Sequence, residues 1–596
     1  MNNPAELVVP RVQAAIATAF GDEFRQTDPV VRPSQFADIQ VNAAMALAKK
    51  AGLPPRDAAA KIVAALNLDG ICTGVEISGP GFINLSYDGT WIEELLNSES
   101  AEAATPAKAV PPAAAPQRVV VDYSSPNVAK EMHVGHLRTT VVGDSLVKVL
   151  EALGDSVIRQ NHIGDWGTPF GMLIEHWLEI GEDSPEAALL VEDPSAFYQA
   201  ARAKFDASAT DADGFATRAR LRVVALQGGD QETFAVWQRL VAQSKRYFNA
   251  IYSTLGISLT DDHIAGESSY DAHLAQLCQE LEERGLARTS DGALCTFPEG
   301  FTGRDGQPLP LIIRKSDGGY GYGTTDLATI RYRVRDLQAD RILYVVGAPQ
   351  NVHLRMVMAT ARDAGWLPDT VQAVHVQIGN VLGEDGKILK SRSGAPVKLM
   401  ALLEEAVDRA RAVIDASRPE LSDEERAVTA RQVGIGAVKY ADLSTGHDTE
   451  YVFDFDRMLA LSGNTGPYVQ YAAARIRSIL RKAGVLEQFT SGGAAETGPD
   501  GPATAIAVVE PAERALALHL LEFTTTLNKV RDTLEPHRLC GYLFELAQLF
   551  TSFYDQCPVL KAEESVRNSR LALCALVLRR LSLGLDLLGI ETPENM

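Results

Sequence analysis

The sequence is poor in the features that mark secreted, membrane-spanning or strongly basic proteins. Its 596 residues include only six cysteines, none in the CxxC spacing of a zinc or redox site, which fits a reducing cytosol. No run of about 18 apolar residues suggests a membrane span, and no basic leader with a long apolar stretch opens the chain. The net charge of −21 excludes a protein held on nucleic acid by bulk positive charge. We therefore expect a cytoplasmic protein with no structural metal, in which any basic track is local.

The composition indicates a globular chain of three or four domains. Hydrophobic residues make up 46% and charged residues 22%, which is enough apolar material to exclude disorder of the whole chain. Residues 1–100 have the pattern of a small α/β module, with helices expected over 36–51 and 56–66 and β-structure over 75–85. Residues 101–117 are rich in alanine and proline, which is typical of a semi-extended linker.

Strands and helices alternate in the second region, residues 118–395. Strand-like runs are followed by helical periodicity, which predicts a doubly wound, Rossmann-like parallel sheet. Strands are expected at 118–124, 157–161, 341–346 and 374–378, with helices at 136–153, from 169, and at 352–364. A polar, helical stretch of about residues 185–300 has the pattern of an insertion between the two halves of the sheet.

The third region, residues 396–596, predicts an α-helical bundle. Its periodic segments cover residues 399–414, 423–442, 469–483, 511–534 and 565–588. Glycine, alanine and proline dominate residues 491–503, which predicts a loop.

The first chemical motif is His-Val-Gly-His at 133–136, after a predicted strand and at the start of a helix. Ligands of open α/β sheets bind beyond the carboxyl ends of the strands, and a helix N-terminus attracts phosphate. His133 and His136, three residues apart, can both donate to phosphate oxygens, and Gly135 leaves room for a flat base. Two chance histidines on a loop, or a metal-binding pair, are the alternatives, but the position between strand and helix favours phosphate.

A second phosphate element is the glycine-bounded, basic segment 383–394, after the last predicted strand. A loop carrying Lys387, Lys390 and Arg392 can close over a triphosphate and stabilise charge on leaving pyrophosphate. The alternative is an ordinary solvated hairpin, and the segment alone does not decide between them.

Together these motifs resemble those of class I aminoacyl-tRNA synthetases, and longer strings resemble the arginyl-tRNA synthetases in particular. Those strings are residues 122–130, 161–167, 344–350 and 463–471. The resemblance implies a cytoplasmic, monomeric enzyme that uses ATP with Mg²⁺ to activate L-arginine and transfers it to the terminal adenosine of tRNA(Arg). It also implies an additional N-terminal tRNA-binding domain and an anticodon-binding domain in the helical third region.

The resemblance also implies an arginine pocket. A guanidinium is a planar fork of donors that pairs bidentately with carboxylate. Asp122 and Asn127 match residues that grip the amino and polar ends of the substrate, although many relatives have glutamate at position 122. Tyr322, Asp326 and Gln350 match the residues that hold the guanidinium, and the spacing of the first two places them on one helical face. We expect the carboxylates at 122 and 326 to converge beside the nucleotide cleft.

One departure from the family pattern concerns the catalytic lysines. The usual class I loop reads Lys-Met-Ser-Lys-Ser, whereas this chain has Leu-Lys-Ser-Arg at 389–392 and so lacks the second lysine. Arginyl enzymes of this type use the lysine just before the histidine motif, here Lys130. The implied catalytic set is therefore Lys130, His133, His136 and Lys390, with no covalent nucleophile.

The resemblance places the anticodon contacts near a turn before a helix, at Asn464, Tyr468, Tyr471 and Arg475. Bases splayed from a loop stack on aromatic rings and arginine planes. The alternative is that the two tyrosines are core residues of the bundle. Arginines and a lysine along 475–482 are the local basic strip that an overall acidic protein needs for tRNA.

Two other functions compete with this interpretation. One is another class I synthetase or a nucleotidyl-transferase with the same histidine motif. The other is a catalytically inactive, tRNA-binding relative, which the intact Lys130, His133, Gly135 and His136 argue against.

Overall fold

The fold is taken from a computed structural model of the chain. It describes residues 3–105, 109–128, 130–211, 213–303, 306–390, 397–490 and 505–596. Within those ranges, no helix is both long enough and apolar enough to cross a lipid bilayer.

The N-terminal module is a four-stranded antiparallel sheet packed against helices, in the strand order β1-β2-β4-β3. The helix expected over 36–51 begins only at Ala43, because Ile39 and Val41 alternate with Gln40 as a strand that pairs with β4. The other expected elements of this module are present. The elements are α1 (Pro4–Phe20), β1 (Val31–Pro33), β2 (Ile39–Val41), α2 (Ala43–Ala51), α3 (Pro55–Ala65), β3 (Cys72–Ser78), β4 (Phe82–Tyr87) and α4 (Gly89–Ala103).

The central unit is the predicted parallel sheet, with the order β11-β10-β5-β6 and helices against it. Three consecutive valines, 119–121, are fully buried in β5, as expected for a strand covered on both faces. The sheet strands and their helices are β5 (Arg118–Asp122), α5 (Val134–Ala152), β6 (Ser156–Gln160), α6 (Thr168–Ile180), α12 (Tyr322–Arg335), β10 (Arg341–Gly347), α13 (Asn351–Asp363) and β11 (Gln372–Ile378).

Between α6 and α12 lies the insertion, which is helical as predicted over most of its length. Its last part is different, because β7, β8 and β9 form a three-stranded antiparallel sheet that the polar pattern of the sequence did not indicate. The insertion contains α7 (Pro185–Glu192), α8 (Pro194–Ala207), α9 (Phe215–Gln227), α10 (Gln231–Leu255), α11 (Asp271–Glu283), β7 (Ala287–Ser290), β8 (Ala293–Thr296) and β9 (Leu311–Arg314).

The C-terminal part is a helical bundle. The single helix expected over 511–534 is two helices, interrupted at residues 521–522, and a helix that was not predicted follows them. The elements are β12 (Val381–Leu382), α14 (Leu399–Ser417), α15 (Asp423–Leu443), β13 (Tyr451–Val452), α16 (Phe455–Met458), α17 (Gly466–Lys482), α18 (Leu486–Thr490), α19 (Pro511–Leu520), α20 (Phe523–Thr533), α21 (His537–Gln556) and α22 (Glu564–Leu587).

Buried ion pairs join the bundle to the sheet. Arg138 in α5 donates to Asp442 in α15 over 3.1 Å, and neither side chain is exposed. The same guanidinium donates to the backbone carbonyl of Thr449 at 2.7 Å. Asp155, before β6, accepts from Arg531 in α20 at 2.7 and 2.8 Å. The helix that carries the histidine motif is thus fixed to the C-terminal bundle.

Candidate active site

The chain leaves β5 through a strained turn. Ser124 and Ser125 have φ values of 68° and 45°, a region that non-glycine residues rarely adopt. The turn is held in place because Asn161, after β6, accepts from the Ser125 amide at 3.1 Å and Tyr252 hydrogen-bonds the Ser124 hydroxyl at 2.7 Å. Strained backbone of this kind clusters at functional sites, because surrounding contacts must maintain it.

The two motif histidines cap the N-terminus of α5. The amide of Gly135 donates to His133 Nδ1 at 3.0 Å, and the amide of His133 donates to His136 Nδ1 at 3.1 Å. Burial, helped by nearby charge, lowers the pKa of His133 and brings that of His136 to about 4. Both rings are therefore neutral at pH 7 and carry their proton on Nε2, which leaves two N–H donors for an anion. Gly135 is needed here, because a Cβ would lie 2.8 Å from the His133 ring.

Lys130 is exposed, and its ammonium lies 4.6 Å from the ring centre of Tyr198 in α8. Its positive charge contributes to the lowered pKa of both His133 and His136. The lysine expected to replace the missing loop lysine is therefore beside the histidine motif.

The basic loop begins as a hairpin in which Lys387 and Lys390 are exposed. The Leu389 amide donates to the Val381 carbonyl at 3.0 Å. Arg392 lies outside the residues that the structure describes. At Val397, which follows the loop, the backbone carbonyl accepts from the Val134 amide at 3.1 Å. The segment that follows the loop is thus hydrogen-bonded to the start of the histidine helix, which brings the two motifs together in space.

Tyr322 and Asp326 lie in the first turns of α12, on the helix face that both present to His353. Asp326 Oδ2 lies 2.6 Å from His353 Nε2, and the ring of His353 packs edge-on to Tyr322 with centres 4.7 Å apart. Tyr322 is 67% exposed and so stands at the mouth of this cluster. Gln350 is exposed on the 3-10 turn before α13, one turn before His353.

Asp122 is buried and already has a cationic partner, Arg333 of α12, with an Nη2–Oδ2 distance of 2.7 Å. Its other oxygen accepts from Ser125 Oγ at 2.8 Å. Burial is the largest influence and would raise the pKa of this carboxyl, but the charge and hydrogen bond of Arg333, together with His162 and Ser125, outweigh it and hold the pKa below its ordinary value. His162 contributes to lowering the same pKa, and it also lies 4.0 Å from Asp326. The carboxylates at 122 and 326 thus both interact with His162, but the first is neutralised from within the protein.

Glu267, on a 3-10 turn before α11, is the acidic group that the sequence reasoning missed. Its pKa is raised to about 8, first by burial and then by the negative charges of Asp326 and Asp165; Lys315 offsets this only in part. The Asp165 carboxylate is engaged by Ser268, through the backbone amide at 2.9 Å and the hydroxyl at 2.6 Å. Asp326 and Glu267 therefore form an acidic pair whose mutual repulsion a bound cation would relieve. No local pattern marks Glu267, because its partner Asp326 is distant in the chain.

Asn127 is exposed and lies beside the chain that follows β6. It forms a parallel bridge with Gly164, where a Cβ would lie 2.4 Å from the Asn127 side-chain oxygen. Glycine at 164 thus makes the approach of this side chain possible.

The four residues expected to contact the anticodon lie at the start of α17 and along it. The Asn464 side-chain oxygen accepts from the Tyr440 hydroxyl at 2.7 Å, and Tyr468 packs on Phe544. Tyr471 is 41% exposed, so it is not a core residue. The Arg475 guanidinium lies 4.6 Å from the ring centre of Tyr554.

Part of the expected basic strip has a different role. Arg477 donates to the Pro593 carbonyl at 2.6 Å, and Arg481 lies 3.3 Å from the side-chain oxygen of Asn595. Burial lowers the pKa of Arg477. These two arginines hold the C-terminal segment and are not simply a solvated positive surface.

Comparison with known proteins covers each part of the chain. Residues 8–87 match the arginyl tRNA synthetase N-terminal domain, 103–455 the class I (R) tRNA synthetase catalytic domain, and 469–596 the DALR anticodon binding domain. Arginine–tRNA ligases of Thermobifida fusca (strain YX) and Frankia casuarinae are 63% and 49% identical, with coverage of 100% and 99% of both chains. The arginyl-tRNA synthetase structure from Plasmodium falciparum superposes with a TM-score of 0.81 at 28% identity, covering 99% of each chain. Because the likeness extends over the full length and through all three parts in order, this chain belongs to the arginyl-tRNA synthetases of class I.

Proposed function

We propose that this protein activates L-arginine with ATP and transfers the arginyl group to the terminal adenosine of tRNA(Arg). The observation that carries the proposal is the acidic pair Asp326 and Glu267, beside His353 and beyond the carboxyl ends of the parallel strands. Family membership supports the reaction class, and this pair supports arginine as the amino acid.

The guanidinium of arginine fits between Asp326 and Glu267. Burial first, and then repulsion from Asp326 and Asp165, raise the pKa of Glu267; a positive group that enters stabilises the charged carboxylates, so the site favours a cation over a neutral side chain. His353 orients the Asp326 carboxylate, and Tyr322 offers an exposed ring edge at the entrance. Lysine would leave part of the acceptor set unpaired, at about 1–3 kcal/mol for each buried group.

The other ends of the substrate are assigned to residues at and after the end of β5. Asn127 is an exposed side chain with hydrogen-bonding capacity, and we assign the amino and polar ends of arginine to it and to Asp122, whereas the exposed Gln350 is assigned to the guanidinium. Asp122 is ion-paired with Arg333, so it presents a weakened negative charge to the substrate and not a free carboxylate.

In the first step, a carboxylate oxygen of arginine attacks the α-phosphorus of ATP, and the bond to pyrophosphate breaks. The Nε2–H groups of His133 and His136 donate to phosphate oxygens, and Gly135 leaves the space for adenine. Lys130 stabilises charge near the α-phosphate, and the loop with Lys387, Lys390 and Arg392 stabilises charge on the leaving pyrophosphate. Mg²⁺ enters with ATP as part of the substrate. No side chain forms a bond to the substrate, so catalysis is positioning and charge stabilisation.

In the second step, the 2′-hydroxyl of the terminal adenosine attacks the arginyl carbonyl and AMP leaves. We assign tRNA contacts to Asn464, Tyr468, Tyr471 and Arg475, of which the exposed Tyr471 is the best placed to stack on a base. The functional units we propose are residues 1–100, 118–395 and 396–596, joined at 101–117 and with the insertion near 185–300.

An amino-acid panel in ATP–pyrophosphate exchange, with tRNA present, tests this function. We expect exchange with arginine and none with citrulline, which has the same shape but no charge, because the acidic pair requires a cation. Glu282→Gln, an exposed carboxylate on α11, is the matched control for Glu267→Gln and should leave exchange unchanged. Exchange supported by another amino acid, or by none, would contradict the proposal.

A further inference from the structure

The aromatic ring under Lys130 belongs to the insertion and not to the nucleotide-binding sheet. Tyr198 lies on the first turns of α8, and the Lys130 ammonium sits 4.6 Å from its ring centre. The preceding residue, Phe197, is fully buried, so α8 is anchored by its apolar face.

An aromatic ring holds a lysine differently from a carboxylate. A carboxylate accepts N–H bonds and cancels the charge, whereas a ring face attracts the cation through its quadrupole and accepts no conventional hydrogen bond. The nearest acidic neighbour in the chain, Glu131, is already engaged, since its Oε2 lies 2.9 Å from Lys398 Nζ and accepts from Ser195 Oγ at 2.6 Å. Lys130 therefore retains its charge and its donors for a phosphate.

The same contacts fix where the ring stands. Glu131 lies two residues before the histidine motif, Lys398 follows the basic loop, and Ser195 is in the first turn of α8. Asp193, the N-cap of α8, lies 3.7 Å from Lys398. These polar contacts connect α8 to the segments beside both phosphate-binding motifs, so the ring of Tyr198 keeps a fixed position relative to His133 and His136.

We propose that Tyr198 is a positioning residue for adenylate formation, which holds the Lys130 ammonium beside His133 and His136 through its ring face without neutralising it. This inference rests on the proposed function, because it assumes that Lys130 acts on the α-phosphate. It predicts that the electrostatics of the ring, and not its hydroxyl or its bulk, set the rate.

The experiment replaces Tyr198 in the full-length protein and measures arginine- and tRNA-dependent ATP–pyrophosphate exchange. Tyr198→Phe keeps the ring and should stay within about twofold of the parent, whereas Tyr198→Leu should lower kcat about tenfold with little change in KM for ATP. Tyr198→Leu added to Lys130→Ala should have less than about a twofold further effect, because the ring then has no cation to hold.

A fluorination series removes the concern that Tyr198→Leu disturbs folding. Phenylalanine with one, two or three ring fluorines at position 198 keeps its shape while the negative face weakens, so kcat should fall stepwise with fluorine number. A flat series, or equal losses in Tyr198→Phe and Tyr198→Leu, would overturn the inference. If Lys130→Ala itself leaves exchange unchanged, the assigned role of Lys130 fails first, and the two failures are thereby distinguished.

Discussion

Arginine binding should release a proton from Glu267. The pKa of this carboxyl is about 8 in the free protein, so at pH 7 about ten molecules in eleven carry the proton. The guanidinium favours the charged carboxylate and drives the pKa back toward its ordinary value. Binding at pH 7 should therefore release about 0.9 proton per arginine, and arginine should bind about tenfold more weakly than at high pH.

The affinity for arginine should therefore depend on pH. Only the deprotonated carboxylate pairs with the guanidinium, so affinity should rise as the pH approaches 8 and level off above it. Each pH unit below about 7.5 should weaken binding close to tenfold, or about 1.4 kcal/mol.

Isothermal titration calorimetry in two buffers of different ionisation enthalpy counts the released protons directly. Glu267→Gln should bind arginine weakly and release none, while the control Glu282→Gln should behave as the parent protein. Arginine binding that releases no proton at pH 7, or a pH dependence retained in Glu267→Gln, would refute the assignment of Glu267 to the guanidinium.

Three further predictions concern the phosphate and tRNA contacts. Lys130→Ala should lower kcat for pyrophosphate exchange at least about 100-fold with little change in KM for ATP, and unchanged turnover would contradict its role. Gly135→Ala should impair exchange strongly, because the added methyl would lie 2.8 Å from the His133 ring and displace the cap; normal exchange would show that the ring position is unimportant. Arg475→Ala should weaken tRNA binding and reduce the slope of log affinity against log salt by about 1, whereas Arg477→Ala should lower the unfolding midpoint and leave the slope unchanged. If Arg477→Ala instead reduced the salt slope and left the unfolding midpoint unchanged, the contacts of Arg477 with the C-terminal segment would not stabilise the fold.

Local patterns in the sequence predicted the parallel sheet well. The run of valines at 119–121 has few alternatives to a buried strand, and the histidine motif after it could be placed at a helix start for that reason. The segment 36–51 predicts one helix because Phe36, Ile39 and Ala43 fit helical spacing, and only pairing with β4 distinguishes the short strand at its start. The break at residues 521–522 carries no proline or glycine that would have marked it.

The site was predicted less completely, because its electrostatics depend on contacts between distant segments. Tyr322 and Asp326 lie on one helix, so their spacing was informative. Arg333 of α12 neutralises Asp122 of β5, and the charge of Asp326 acts on Glu267, which lies in the insertion. Neither interaction is visible in a local sequence pattern. For that reason the sequence predicts a free carboxylate at Asp122 and gives no indication of Glu267.

The buried pair between Arg138 and Asp442 limits how this enzyme can be dissected. Removing Asp442 alone would leave the Arg138 guanidinium without its carboxylate in a dry environment, at about 3–5 kcal/mol. Cutting the chain after the sheet would in addition expose the apolar surface that the bundle covers, so a fragment limited to the nucleotide-binding half should be insoluble or unfolded. For the same reason, heating should abolish amino-acid activation and anticodon recognition in a single transition.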